Sequence, residues 1–138
     1  MPADHVIEPA QEFRRAVQAA EQVLQDQPRA LVTLGIPPTY PATGYGYIQR
    51  GLGLGQRQGL NVFQVQSFRE KPHADLAEQM FASGQYFWNA GIFCWQAATI
   101  LEALRANRPA LAAAVDSIAA AWDTPDRAAV FAREYQGL

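Results

Sequence analysis

Apolar residues recur at steps of four, three and four from Phe13 through Val17 and Ala20 to Leu24, so residues 9–26 are expected to form an amphipathic helix. Pro9 suits its first turn, where a missing N–H costs nothing. Residues 30–36 are a short apolar run rich in Leu, Val and Thr, bounded by Pro28 before and by Pro37 and Pro38 after, and predict a buried strand. Residues 37–46 hold three of the nine prolines and two of the ten glycines, which predicts an ordered loop with a fixed path. Residues 47–50 read as a short strand. Residues 51–59, with four glycines, read as the tip of a long hairpin rather than a phosphate-binding loop, because the next segment is strand-like and not helical. There Val62, Phe63, Val65 and Phe68 are interleaved with Gln64, Gln66, Ser67 and Arg69, as in a strand with one wet face.

Residues 75–83 predict a helix with Leu76, Met80 and Phe81 turned inward and Gly84 ending it. The aromatic stretch 86–95 closes on residues 91–95, expected to be a buried strand with Cys94 in the core. Beyond Gln96 the pattern is helical: Ile100, Leu101 and Leu104 in one segment, then Leu111, Val115, Ile118 and Trp122 in another opened by Pro109, then a short helix over 125–135. There is no internal repeat and no low-complexity segment.

Composition narrows the class. A chain of 138 residues, 49% apolar, is the size of one α/β domain able to bury a core. A net charge of -2 lacks the basic excess that nucleic-acid binding requires. Cys94 is the lone cysteine, so no internal disulfide forms, and no apolar run reaches the roughly 18 residues of a membrane span. The first residues lack the pattern of a secretory leader, so a cytoplasmic location is expected. Lys71 is the one lysine beside ten arginines, a compact ammonium where arginine offers a planar fork.

Four places carry candidate chemistry, each with a plainer reading beside it. Asp4, before the first helix, is either a helix-start residue or a carboxylate that holds a divalent cation; His5 is read as structural. The loop around Gly44, Tyr45 and Gly46 is either a tight turn or a place where a ligand approaches bare backbone. Glu70 and Lys71 are either a surface ion pair or an acceptor for hydroxyls beside a cation for phosphate. Asn89, polar in an apolar setting, needs a partner, which is either a backbone turn or a sugar hydroxyl. Their order suits a phosphorylated, polyhydroxylated small molecule with a divalent cation.

Taken together, PADHVI at 2–7, LVTLGIPPTYPATGYGYI at 31–48, FREKP at 68–72 and YFWNAGIFCW at 86–95 resemble the sugar-1-phosphate nucleotidylyltransferases, most closely the mannose-1-phosphate guanylyltransferases. The resemblance implies an α/β fold, a Rossmann-like α/β/α sandwich with a mixed sheet, here without its amino-terminal nucleotide-binding part. It implies the transfer of a guanylyl group from GTP to mannose 1-phosphate, giving GDP-mannose and pyrophosphate, with Mg²⁺ as cofactor. By the same resemblance Asp4 would hold the metal and, with Lys71, be catalytic. Gly44, Tyr45, Glu70, Lys71, Asn89 and Gly91 would bind the sugar phosphate. Ala90 stands where the family often has serine. The glycine-rich nucleotide signature and a second metal aspartate do not occur in the sequence, so residues 1–138 are expected to form one incomplete domain with no guanylyl transfer of its own. An interrupted sheet is expected to favour self-association. Two other readings stand beside this one: a glucose-1-phosphate thymidylyl- or uridylyltransferase, and a non-catalytic sugar-phosphate-binding or subunit-interaction remnant.

Overall fold

A computed structural model describes residues 6–137, which form two compact units divided after Trp95. The first contains α1 (Ala10–Asp26), β1 (Val32–Ile36), β2 (Tyr47–Arg57), β3 (Leu60–Arg69), α2 (Ala74–Ser83) and β4 (Tyr86–Cys94). The four strands form one sheet in the order β1-β4-β2-β3, and all three pairings are antiparallel, where the resemblance implies a mixed sheet.

Strand alternation puts a helix on each face of this sheet. Tyr47 pairs with Trp88, and both pack with Ala77 and Met80 of α2. Their neighbours Ile48 and Phe87, also paired, point to the other face, toward Ala19, Ala20 and Val23 of α1 around a cleft of about 750 Å³. The first unit is therefore an α/β/α arrangement. Tyr47 is fully buried, and its hydroxyl donates to the Ala42 carbonyl at 2.8 Å. That side chain contributes about 1.5–3 kcal/mol by burial and pins the proline-rich loop to the sheet.

Several elements differ from the expectation. In α1 the buried positions are Ala19, Ala20 and Val23, while Val17 is exposed. The small alanines let the helix approach the sheet on a face rotated from the predicted stripe. Residues 51–59 are mostly strand, since β2 runs to Arg57 and only Gln58 and Gly59 make the turn. Both turn residues have positive φ, the requirement of a type I′ hairpin. The glycines inside β2 fall where its register with β3 shifts, and a Cβ on Gly51 would lie 3.2 Å from the Gln64 carbonyl oxygen. Phe81 of α2 is exposed, its inward place taken by Ala77 beside Met80. Gly84, at φ 62, ends that helix in the left-handed conformation predicted for it. The whole of 86–94 is strand, Cys94 is only half-buried, and Phe93 and Trp95 are exposed.

The second unit holds α3 (Ala97–Asn107), α4 (Pro109–Ala121) and α5 (Arg127–Gln136). Pro109 opens α4, as the sequence predicts. An Arg105–Asp116 ion pair at 3.0 Å joins α3 to α4, and Ser117 donates to Glu134 at 3.1 Å between α4 and α5. The Arg133 guanidinium and the Ser117 hydroxyl hold the Glu134 carboxyl below its ordinary value. Among the described residues no helix is long and apolar enough to cross a membrane.

Candidate functional site

The loop between β1 and β2, the end of β3 and the middle of β4 meet around Gly46. Its carbonyl accepts the Asn89 N–H at 2.7 Å, which ties the loop to β4. A Cβ built on Gly46 would lie 2.7 Å from Glu70 Oε2, 2.9 Å from Phe68 Cζ and 3.5 Å from Asn89 Cβ. The glycine is thus a gap that the Glu70 carboxylate fills, with Asn89 alongside. Lys71 follows directly, its Nζ 3.9 Å from Glu70 Oε1, and both side chains are exposed. Lys71 has φ 41, a left-handed conformation that costs a non-glycine residue about 1–2 kcal/mol. Strain of this kind gathers where side-chain direction matters more than backbone comfort.

Asn89 sits in a bulge of β4. Thr33 faces Phe93 and Gly35 faces Asn89, so β4 spends two more residues than β1 between those pairs. Gly91, at φ 68, takes the turn that this requires. The Asn89 side-chain oxygen accepts the Gly91 N–H at 3.2 Å and the Thr33 hydroxyl at 3.0 Å.

Aromatic rings form the wall of the loop. Tyr40 and Tyr45 both stand edge-on to Trp88, with ring centroids 5.0 and 5.1 Å away. The Tyr40 hydroxyl is pushed above its ordinary pKa by its hydrogen bond to Tyr45, then by burial. Trp88 is buried, and its Nε1–H has no hydrogen-bond partner among the described residues.

Of the residues singled out from sequence, Glu70 and Asn89 come together at Gly46, Lys71 pairs with Glu70, Gly91 bonds to Asn89, and Tyr45 precedes Gly46 with its ring packed on Trp88. Gly44 lies two residues before Gly46 with open space where a Cβ would be. Asp4 and His5 lie outside the described residues. Sequence reasoning missed Thr33, Tyr40 and Trp88 as supports of the site. The bulge that recruits Thr33 has a sequence signal only in Gly91, and a glycine within a strand marks a bulge without naming its partner. Among the described residues no three His, Cys, Asp or Glu side chains gather, and the Glu70 carboxylate is paired with Lys71. These residues do not make a metal centre by themselves. They make an exposed anionic and cationic pair beside a fixed amide and bare backbone, a set able to bind hydroxyls and one phosphate.

Known proteins resemble this chain over most of its length. Xanthan biosynthesis protein XanB of Xanthomonas campestris pv. campestris is 41% identical over 133 residues, covering 96% of this chain and 26% of that protein. Mannose-1-phosphate guanylyltransferase of Escherichia coli K12 is 41% identical over 126 residues, covering 91% of this chain and 26% of the relative. Among solved structures, mannose-1-phosphate geranyltransferase from Thermus thermophilus superposes with a TM-score of 0.76 at 30% identity, over 96% of this chain and 36% of that one. Mannose-6-phosphate isomerase from Helicobacter pylori gives 0.68 at 30% identity, over 86% and 42%. The chain thus spans about a quarter of the length of these curated relatives. With residues 1–133 matching the family profile, the chain belongs to the nucleotidyl transferase family.

Proposed function

We propose that this chain is the sugar-phosphate-binding portion of a mannose-1-phosphate guanylyltransferase. The observation that carries the reading is the approach of Glu70 and Asn89 to the bare backbone of Gly46, beside the strained Lys71. Supporting it are relatives named for that activity at about 41% identity.

Glu70 accepts hydrogen bonds from sugar hydroxyls, Asn89 donates one, and the loop backbone at Gly44 and Tyr45 receives the ring edge without side-chain obstruction. Gly91 shapes the turn that presents Asn89. Lys71 neutralises the sugar phosphate and steadies charge as the reaction proceeds. A phosphate oxygen of mannose 1-phosphate attacks the α-phosphorus of GTP; the new P–O bond forms while the bond to the β-phosphate oxygen breaks and pyrophosphate departs. Such transfers need little covalent help, so positioning and charge account for the rate. Asp4 would supply a carboxylate oxygen to Mg²⁺, a hard cation suited to it, which lowers the charge on the phosphates when bound. On this reading the protein works in the cytoplasm on small molecules. The exposed Val65 and Phe68 of β3 favour self-association at a sheet edge.

Calorimetric titration of the purified chain with mannose 1-phosphate, glucose 1-phosphate and GTP tests the proposal. It predicts binding of mannose 1-phosphate in preference to glucose 1-phosphate, lost in Lys71→Ala. Equal affinity for the two sugars would favour a broader sugar-1-phosphate nucleotidylyltransferase. A folded chain that binds neither sugar would refute the proposal.

A further inference from the structure

An asparagine amide can present either its oxygen or its nitrogen to a ligand, and the two choices select opposite partners. At Asn89 the choice is made from behind. The Gly91 N–H and the Thr33 hydroxyl reach the same atom, at 3.2 and 3.0 Å. An N–H cannot donate to an NH₂ group, so the oxygen belongs on that side and Nδ2 is turned away from it. The Thr33 hydroxyl also lies 3.1 Å from the Ile92 carbonyl, so it is shared between two acceptors across the mouth of the bulge. Asn89 and Ile92 therefore hang on one hydroxyl from the neighbouring strand. Among the described residues no hydrogen bond of Asn89 Nδ2 is present.

We infer that Thr33 is a positioning residue: with Gly91 it holds the Asn89 amide oxygen inside the β4 bulge, leaving Nδ2 as the donor offered to an acceptor oxygen of the ligand. The inference rests on the proposed sugar-phosphate reading for the ligand alone; the amide orientation stands on the bulge geometry. It makes this position selective for an ether or hydroxyl oxygen acting as acceptor, while Glu70, an acceptor, takes hydroxyl protons. The two side chains flanking Gly46 thus read opposite ends of a polyol's hydrogen-bonding pattern.

The ¹⁵N-labelled chain separates the two claims. In unmodified protein the Asn89 side-chain NH₂ protons are expected to show no strong nuclear Overhauser effect to the Gly91 amide proton. A strong effect there would put the nitrogen inside and overturn the inference, without any variant being made. Thr33→Val, which keeps the shape and removes the hydroxyl, is expected to shift the Asn89 NH₂ signals and weaken mannose 1-phosphate binding about fivefold to tenfold, the scale of one neutral hydrogen bond. Thr33→Ser should restore both. An unchanged Asn89 signal in a folded Thr33→Val chain would overturn the assignment. If the NH₂ signals respond as described but the unmodified chain binds no sugar phosphate, the positioning role stands and the proposed ligand falls.

Discussion

Gly46→Ala is the most informative single change in this molecule, because it moves a functional group without touching it. Gly46 is not among the positive-φ glycines, so alanine meets no backbone penalty and acts only through space. Its methyl would stand 2.7 Å from Glu70 Oε2 and 2.9 Å from Phe68 Cζ, closer than real contacts allow. Both obstacles can yield: the Glu70 side chain is 60% exposed and Phe68 is 49% exposed. The fold should therefore lose less than about 1 kcal/mol, the ordinary cost of a surface adjustment. Binding should lose more, since the displaced carboxylate gives up a charge-assisted hydrogen bond to a hydroxyl of about 1.5–3 kcal/mol, or roughly tenfold to a hundredfold in affinity. Calorimetry with mannose 1-phosphate on Gly46→Ala, Glu70→Gln and the double variant measures this. If the alanine works by moving the side chain at position 70, the double variant binds no more weakly than Gly46→Ala alone. Additive losses, or wild-type affinity in Gly46→Ala, would refute the reasoning.

Other outcomes follow from the same geometry. Lys71→Gly should be more stable than Lys71→Ala by about 1 kcal/mol in denaturant titration, because glycine adopts φ 41 without strain, yet both should lose sugar-phosphate affinity. Tyr47→Phe removes the bond to the Ala42 carbonyl and should cost about 1–2 kcal/mol by the same titration, with the proline-rich loop exchanging amide protons faster. Glu134 is held below its ordinary value by Arg133 and Ser117, so its contribution is present above the unfolded carboxyl pKa, near 4.5, and is lost as pH falls through the lower folded value. Helical circular dichroism on acid titration should show that loss, and Glu134→Gln should lessen it.

Periodicity alone locates nearly every helix and strand, because apolar residues are spaced for one face, even in α3 and α5, where no residue is fully buried. It errs where small residues or glycines break the link between size and burial. The alanines of α1 pack closely and rotate the buried face away from Val17, and the glycines of β2 sit within a shifted register rather than a loop. Glu70, Lys71 and Asn89 are legible as polar side chains at strand ends or among aromatic rings. Thr33 is not, since it lies 56 residues from Asn89 and meets it only through the bulge. Trp88 reads as an ordinary aromatic, yet it supports both tyrosines of the loop.

If Gly46, Glu70 and Asn89 mark the place where a sugar phosphate binds, the amide chemical shifts of the labelled chain will report it during addition of mannose 1-phosphate. The largest changes should then fall on Gly44, Tyr45, Gly46, Glu70, Lys71, Asn89 and Gly91. Changes confined to α1 and the hairpin end of the cleft, at Ala19, Val23, Leu54 and Leu60, would place the ligand elsewhere and contradict the assignment.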